Sequence, residues 1–134
     1  MQKFDVSRDK NIEKTVYDIL KTTAKTRIYI FLIRKNGAKT EQIIKGTKLH
    51  PSTVRETLSA MYNQKLIFRE KIKNDKIGKH PYIYFPISPL ELLKRHANEI
   101  EERLNKLAFL AFSIDKKDTY KPVKISIKEQ KESI

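Results

Sequence analysis

Several residue types are scarce or missing in this 134-residue sequence, which has no cysteine, no tryptophan and three glycines. Without cysteine the chain has no disulfide, no Cys-ligated metal centre and no thiol nucleophile. Three glycines leave no pattern for a phosphate-binding loop or a nucleophile elbow, and His50, His80 and His96 share no metal-ligand spacing. We therefore expect a protein that is not an enzyme and that binds no metal and no cofactor.

Long apolar runs are also missing. No run exceeds the six residues of Ile28 to Ile33, whereas a transmembrane helix needs about 20. The first ten residues lack the apolar core and the small-residue cleavage site of a signal peptide. The sequence therefore predicts no membrane partner and a cytoplasmic location.

Acidic residues are too few to balance the basic ones: 29 Lys and Arg face 16 Asp and Glu, which gives a net charge of +13. The excess is uneven, with +5 in residues 1–38, +6 in 39–80, 0 in 81–114 and +2 in 115–134. A basic excess of this size indicates a polyanionic partner, and its clustering indicates a binding face in the first 80 residues.

Apolar residues at helical spacing predict four helices in the first half of the chain. The run from Ile28 to Ile33 is also compatible with a buried strand, but the length of the segment and the caps at its ends favour a helix. The third and fourth helices are about four residues apart, which is typical of a helix-turn-helix. The predicted helices are 9–23, 26–37 with Thr26 as N-cap, 41–45 with Thr40 as N-cap, and 51–64 with Pro51 in its first turn.

Residues 66–73 and 81–87 alternate in the manner of strands, and Asn74, Asp75 and Gly78 between them favour a turn, so we predict a β-hairpin. Tyr82, Tyr84 and Phe85 suggest stacking on single-stranded bases, but their alternation argues against this. We expect Phe85, with Ile83 and Ile87, to face the core and the tyrosines to face outward.

The segment Ser88-Pro89-Leu90-Glu91 has the S-x-x-E form of a capping signal and predicts the start of a long helix. Apolar residues then recur at heptad a and d positions, which predicts a seam against a facing helix. We expect this to be a homodimeric coiled coil; packing of the seam on the first helix of the same chain is the alternative. The seam residues are Leu90, Leu93, Ala97, Ile100, Leu104, Leu107, Ala111 and Ile114.

Together these elements predict a mainly α fold with a small β-hairpin wing (α+β), a winged helix-turn-helix followed by a long C-terminal dimerisation helix. We divide the chain into a DNA-binding domain with its N-terminal helix at 1–87, the long helix at 88–114 and a basic tail at 115–134. The residues leave open whether the tail is disordered or adds an edge strand.

The stretch 26–93 resembles archaeal and bacterial winged-helix transcription regulators of the TrmB, MarR and ArsR type. The resemblance lies in L-x-P-S-T-V-R-x-x-L-x-x-M at 49–61 and in G-K-x-P-Y-x-Y-F-P at 78–86. The chain departs from the pattern in the turn, where Lys48 stands at a position that is usually Gly, and a Lys at positive φ is strained. We expect no effector-binding domain, so the resemblance does not extend to sugar sensing.

In a winged helix-turn-helix, the first turns of the second helix read base edges in the major groove. Arg55 is the strongest candidate, because its fork matches guanine O6 and N7; the alternative is a solvated arginine that pairs with a neighbouring Glu. The predicted base-reading residues are Ser52, Thr53, Arg55, Glu56 and Ser59.

Phosphate contacts position such a protein on DNA. Alternatives exist for three of these predictions: Thr40 acts only as a helix cap, His50 packs or lies in solvent, and the wing is an ordinary solvated turn. The predicted phosphate-binding residues are Arg27, Thr40, Lys48, His50 and Tyr62, and the predicted wing residues near the minor groove are Lys73, Asn74, Lys76, Lys79 and His80.

The sequence therefore predicts a homodimeric, nucleoid-associated transcription regulator that binds double-stranded DNA at half-sites about 10 bp apart. A winged helix used for protein contacts in the basal transcription machinery is the alternative, as is an RNA-binding protein. Burial of Ser52, Thr53 and Arg55 against another element would exclude the DNA-binding hypothesis.

Overall fold

The computed structural model describes residues 10–72, 82–112 and 120–130, and it has the predicted winged-helix α+β fold. The chain divides after Ile87 into a winged-helix unit, Met1–Ile87, and a C-terminal unit, Ser88–Ile134. The helices are α1 (Lys10–Leu20), α2 (Thr23–Lys35), α3 (Thr40–Thr47), α4 (Pro51–Asn63) and α5 (Pro89–Phe112), and the strands are β1 (Ala38–Lys39), β2 (Ile67–Lys71) and β3 (Tyr82–Pro86).

The apolar run in residues 28–33 lies inside α2, so the choice of a helix over a strand is confirmed. The predicted cap is wrong by one turn. Thr22 is the N-cap, and its Oγ1 accepts a hydrogen bond from the Lys25 amide at 3.1 Å. Thr26 is buried inside the helix, where its hydroxyl donates to the Thr22 carbonyl at 2.8 Å, because a threonine inside a helix can bond the carbonyl four residues back.

The scarcity of glycine has a visible consequence at the helix ends. Among the described residues of the winged-helix unit, four that are not glycine adopt positive φ: Lys21, Asn36, Lys48 and Lys65. Lys48, with φ 58° and ψ 23°, ends α3, and its amide donates to the Ile44 carbonyl. A left-handed lysine costs roughly 1 kcal/mol relative to a residue without a Cβ, so these turns carry the strain that the sequence predicted for Lys48.

The sheet has three antiparallel strands in the order β1-β3-β2, one more than the predicted hairpin. The additional strand pairs Ala38 with Tyr84 and Lys39 with Ile83. Two residues are too short to show alternation, which is why the sequence did not reveal β1.

The orientation predicted for β3 is wrong. Tyr84 is buried, on the same sheet face as the buried residues Ala38 and Ile67. Phe85 lies on the other face, where its ring stacks on exposed Phe68 at a centroid distance of 5.3 Å. Alternation allows either face of a strand to be the inner one, and here the small Ala38 and the apolar Ile67 pack inward with the tyrosine.

The core of the winged-helix unit surrounds α2. The largest fully buried side chains are contributed by α2, α3 and α4: Ile28, Leu32, Ile43, Val54 and Met61. Tyr29 is also buried, and its hydroxyl donates to the carbonyl of Ile87 at 2.9 Å. Burial raises the pKa of Tyr29 to about 12, because the phenolate is poorly solvated there. One hydrogen bond thus joins the centre of the core to the last residue of the unit.

The capping signal before α5 is confirmed, since the Ser88 hydroxyl accepts a hydrogen bond from the Glu91 amide at 3.1 Å. All of α5 is described, and Leu92 is its one buried residue. Leu92 belongs to neither of the predicted heptad series.

Residues 120–130 are neither helix nor strand, and they run antiparallel along α5. The Asn105 amide group donates to the Val123 carbonyl at 3.1 Å and accepts from the Val123 amide at 2.8 Å. The Ile125 amide donates to Glu101 at 2.8 Å. Two extended residues span nearly the same distance as four helical residues, about 6.6 Å and 6 Å, so alternate tail amides reach successive turns of the helix.

Candidate nucleic-acid interface

The two faces of α4 differ sharply in burial. Val54, Leu58 and Met61 face the core and are at most 2% exposed. The opposite face is open to solvent and carries the polar residues Ser52, Arg55, Glu56, Ser59, Tyr62 and Asn63, while Thr53 is half-buried at its side. The predicted base-reading side chains are therefore not covered by another described element.

The start of α4 is capped by His50. Its Nδ1 accepts a hydrogen bond from the Ser52 amide at 3.2 Å and lies 2.8 Å from the Ser52 hydroxyl. Pro51 is the first residue of the helix, as predicted, where its missing N–H is harmless. His50 and Ser52 thus have a structural role at the helix end, in addition to the DNA contacts that were predicted for them.

A surface notch of about 420 Å³ lies beside α4, and we call it the α4 notch. Four of its lining residues were predicted as DNA contacts: Thr40, Arg55, Ser59 and Tyr62. Its other lining residues are Leu58, Asn63, Arg69 and Tyr84. The remaining predicted contacts in the described residues, Ser52, Thr53, Glu56, Arg27, Lys48 and His50, do not line it.

Thr40 reaches the notch from the first turn of α3, and its predicted role as N-cap is wrong. Lys39 occupies the cap position, and its amide donates to Oε1 of Gln42 at 2.8 Å. Thr40 itself is buried as the first residue of the helix, because β1 leads directly into α3 and Ala38 and Lys39 belong to the sheet.

Arg69 is the main residue of the notch that sequence reasoning missed. Its guanidinium carbon lies 4.1 Å from the ring centroid of Tyr62 and 4.3 Å from that of Tyr82. The strand register pairs Arg69 with Tyr84 and Lys71 with Tyr82, so all four side chains share one face of the sheet. The predicted hairpin did not specify which residues of the two strands pair, and without that pairing the contacts of Arg69 could not be predicted.

Charge in the winged-helix unit is not compensated locally. Its described residues, 10–72 and 82–87, contain 14 Lys and Arg and 5 Asp and Glu. No ion pair forms among them, since the ion pairs between described residues, Lys94–Glu129 and Arg103–Glu99, lie in the C-terminal unit, as does the contact between His96 and Glu99. Arg55 is exposed and pairs with no glutamate among the described residues.

The predicted wing residues Lys73, Asn74, Lys76, Lys79 and His80 lie outside the described residues, as does Ile114 of the seam. The other seam residues are exposed or half-buried, and the leucines among them are 41% exposed at Leu90 and Leu104, 47% at Leu93 and 60% at Leu107. The described seam is therefore an apolar stripe of α5 that remains accessible to solvent.

Two further searches concern the described residues alone. They contain no group of three or more His, Asp and Glu side chains close enough to hold a metal ion. None of their helices combines the length and the apolar character that crossing a membrane requires.

Three of the solved structures that match this chain differ in their similarity to it. A possible transcriptional regulator from Methanosarcina mazei Go1 is 18% identical, with a TM-score of 0.64 over 78% of this chain and 89% of that one. NadR in complex with 4-hydroxyphenylacetate is 13% identical, with a TM-score of 0.48 over 75% and 71%. A mutant of Lactococcus lactis ZitR in its apo form is 17% identical, with a TM-score of 0.42 over 78% and 75%. No curated protein matches the chain significantly.

The fold and the exposed face of α4 define a winged-helix protein, and the Methanosarcina structure has the same fold. Residues 10–109 match the TFIIE alpha subunit family, and this match covers most of the winged-helix unit and the greater part of α5. The chain therefore belongs to the TFIIE alpha subunit family, a family of transcription factors. The resemblance to regulators of the TrmB, MarR and ArsR type remains a prediction about subtype.

Proposed function

We propose that this chain is a transcription factor whose winged-helix unit binds duplex DNA, with α4 in the major groove and the predicted wing, residues 73–80, beside the minor groove. The observation that carries the proposal is the exposed polar face of α4 in a unit whose charge is +11 and whose described basic residues form no ion pairs. Uncompensated basic charge around an exposed helix is the arrangement that attracts DNA phosphates.

Within this proposal the side chains divide by position. Arg55 is placed on the exposed face one turn into α4, where a guanidinium reaches base edges. Ser52, Thr53, Glu56 and Ser59 flank it. Thr40 and Tyr62 border the same notch and contact phosphates, together with the exposed residues Arg27, Lys48 and His50.

Fluorescence anisotropy with duplex DNA tests the proposal. We expect affinity to fall steeply with salt, because each phosphate contact releases a counterion. Arg55→Ala should reduce the preference for selected over random sequence by about tenfold, since a bidentate base contact is worth roughly 1 to 3 kcal/mol. Arg34→Ala is the matched control, because Arg34 is exposed at the end of α2 and does not line the notch.

Absence of DNA binding by the wild-type chain at low salt would refute the proposal. If Arg55→Ala and Arg34→Ala lose the same affinity on every sequence, the proposal of DNA binding still stands. Base reading by Arg55 is then refuted.

We further propose that the chain acts as a homodimer through the seam of α5. Residues 81–114 have no net charge, so two copies of this helix would meet without repulsion. The solvent-accessible leucines of the seam support a facing apolar helix. A two-fold dimer would place two α4 helices on half-sites about 10 bp apart.

Sedimentation equilibrium tests the dimer. Leu93→Lys with Leu107→Lys should convert it to a monomer, because two charges would enter each side of the seam. Leu110→Lys adds one charge at an exposed position outside the seam and should leave the mass unchanged. A wild-type chain that is monomeric at high micromolar concentration would contradict this proposal.

Protein contact in the basal transcription machinery is the second candidate, and family membership favours it. The stacked pair Phe68 and Phe85 offers a surface for such a contact, since Phe68 is 49% exposed on the outer face of the sheet. Binding to purified RNA polymerase that is lost in Phe68→Ala and kept in Arg55→Ala would favour this candidate. An RNA duplex in the anisotropy assay tests the RNA alternative in parallel.

A further inference from the structure

The position of Arg69 restricts what its guanidinium can bind. Rings from two different elements, Tyr62 of α4 and Tyr82 of β3, lie at 4.1 and 4.3 Å from its central carbon. Tyr82 in turn lies beside Tyr84, with ring centroids 6.4 Å apart. Aromatic contacts of this kind stabilise a cation and hold its plane in place.

With rings beside it, the guanidinium interacts with other groups mainly through the N–H donors in its plane. None of these donors pairs with a carboxylate among the described residues. A fixed planar fork of donors matches two oxygens of one phosphate group. Because the rings already restrict the side chain, little further rotamer entropy is lost when a ligand binds.

The lining of the α4 notch is rich in donors and contains no Asp or Glu. Arg55 supplies a second guanidinium, Thr40 and Ser59 supply hydroxyls, and Asn63 supplies an amide. The notch, at about 420 Å³, has ample room for one phosphate group. Two cations with neutral donors and no carboxylate select for an anion.

We propose that the α4 notch is a phosphate-binding site in which Arg69, whose guanidinium lies against the rings of Tyr62 and Tyr82, binds the anion, while Arg55 in the lining adds positive charge and keeps its own donors for base edges. Its source is a phosphodiester of bound duplex DNA if the proposed function holds, and the inference about the source rests on that proposal. The binding chemistry itself does not, since free phosphate presents the same oxygens.

The test uses the full chain and compares Arg69→Lys with Arg34→Lys. Both substitutions keep the charge and remove a planar fork, but only the first changes the notch. Thermal unfolding checks that each variant folds. DNA affinity is measured by anisotropy on several unrelated duplexes. In a second arm, the side-chain Nε–H resonance of Arg69, assigned by its loss in Arg69→Lys, is followed by NMR during titration with inorganic phosphate or with duplex DNA.

We expect Arg69→Lys to weaken binding about tenfold on every duplex, because a charge-assisted bidentate contact is lost, and Arg34→Lys to have little effect. The Arg69 resonance should shift with DNA. If wild-type chain fails to bind DNA but the resonance shifts with inorganic phosphate, the phosphate site stands and the proposed function fails.

Three outcomes would overturn the site. One is normal DNA binding by Arg69→Lys, which leaves the proposed function untouched. Another is a loss confined to a single DNA sequence, which indicates base reading by Arg69. The third is an Arg69 resonance that moves with neither DNA nor phosphate.

Discussion

The winged-helix unit and the C-terminal unit differ in net charge and in the pairing of their charged side chains. Residues 1–87 carry +11 and form no ion pairs among their described members, whereas residues 88–134 carry +2 and contain Lys94–Glu129 at 3.2 Å and Arg103–Glu99 at 3.9 Å. Apolar side chains are distributed in the reverse sense. The winged-helix unit buries a core around α2, while α5 buries Leu92 and leaves its other leucines partly or largely exposed.

This difference indicates that the surface of each unit suits a different kind of binding partner. Basic side chains without carboxylate partners are complemented by an anion, and an apolar helical stripe is complemented by another apolar surface. Surface ion pairs such as those of α5 contribute little to stability. The following predictions test the contrast, from the largest expected effect to the smallest.

The units should differ most in their response to loss of a leucine. Leu32 is fully buried in α2, so Leu32→Ala should lower the free energy of unfolding by about 3 kcal/mol. Leu110 is 74% exposed on α5, and Leu110→Ala should change it by less than about 0.5 kcal/mol. Urea unfolding of both variants measures the two values. Similar losses for the two would mean that α5 is as well packed as α2.

High pH should destabilise the winged-helix unit through Tyr29. Its pKa in the folded chain is about 12, above the ordinary value of 10, because burial disfavours the phenolate. The stability that this tyrosine contributes is therefore complete below pH 10 and is lost as pH rises from 10 to about 12, on the order of 2 kcal/mol. Unfolding of wild type and Tyr29→Phe across this range measures the loss.

Tyr29→Phe should lack this part of the pH dependence. At neutral pH it should cost about 1 kcal/mol, because the Ile87 carbonyl loses its hydrogen-bond donor. Parallel pH curves for the two proteins would rule out Tyr29 as the source.

In the C-terminal unit, the attachment of the tail to α5 should depend on the contact between Asn105 and Val123. Asn105→Ala removes both hydrogen bonds to Val123, so the tail should separate from α5 more often. Amide exchange at Val123 and Ile125 should accelerate about fivefold, which corresponds to roughly 1 kcal/mol of local stability. Asn98→Ala, at an exposed position of the same helix, is the matched control. Unchanged exchange in Asn105→Ala would show that other contacts hold the tail.

The smallest effect should come from relief of backbone strain. In the described part of the chain, the four non-glycine residues with positive φ all lie in the winged-helix unit, and Lys48 is the one that ends α3. Lys48→Gly should stabilise the chain by about 0.5 kcal/mol, because the gain at positive φ exceeds the added entropy of the unfolded chain. Lys45→Gly, inside α3, should destabilise it by about 1 kcal/mol. Thermal unfolding distinguishes the two, and a loss of stability in Lys48→Gly would contradict the strain.

Much of the fold follows from local pattern. Helical periodicity predicted α1 to α5, and the capping signal at Ser88 was correct because such a cap depends on residues within one turn. The cap of α2 was wrong since Thr22 and Thr26 are one turn apart and either suits the pattern. The inner face of β3 was wrong because alternation is symmetric between the two faces.

The candidate site was only partly predictable for a different reason. Thr40, Arg55, Ser59 and Tyr62 were recognised from their places in a helix-turn-helix, and they do line one notch. Arg69 was not, because its environment depends on partners 7 and 13 residues away on other elements. No periodicity within β2 distinguishes an exposed arginine beside two tyrosine rings from one without such neighbours.

The sequence by itself determined the properties that need no partner residue: the absence of thiol chemistry, the concentration of basic charge in the first 80 residues, and the apolar stripe of α5. The tertiary structure alone decided which face of the sheet is inner, which rings lie beside Arg69, and that residues 120–130 run along the side of α5. Composition and periodicity are summed over neighbours along the chain, whereas these contacts join residues that only folding brings together. The scarcity of glycine is a property of the sequence. Its consequence, the strained lysines at positive φ, is seen in the fold.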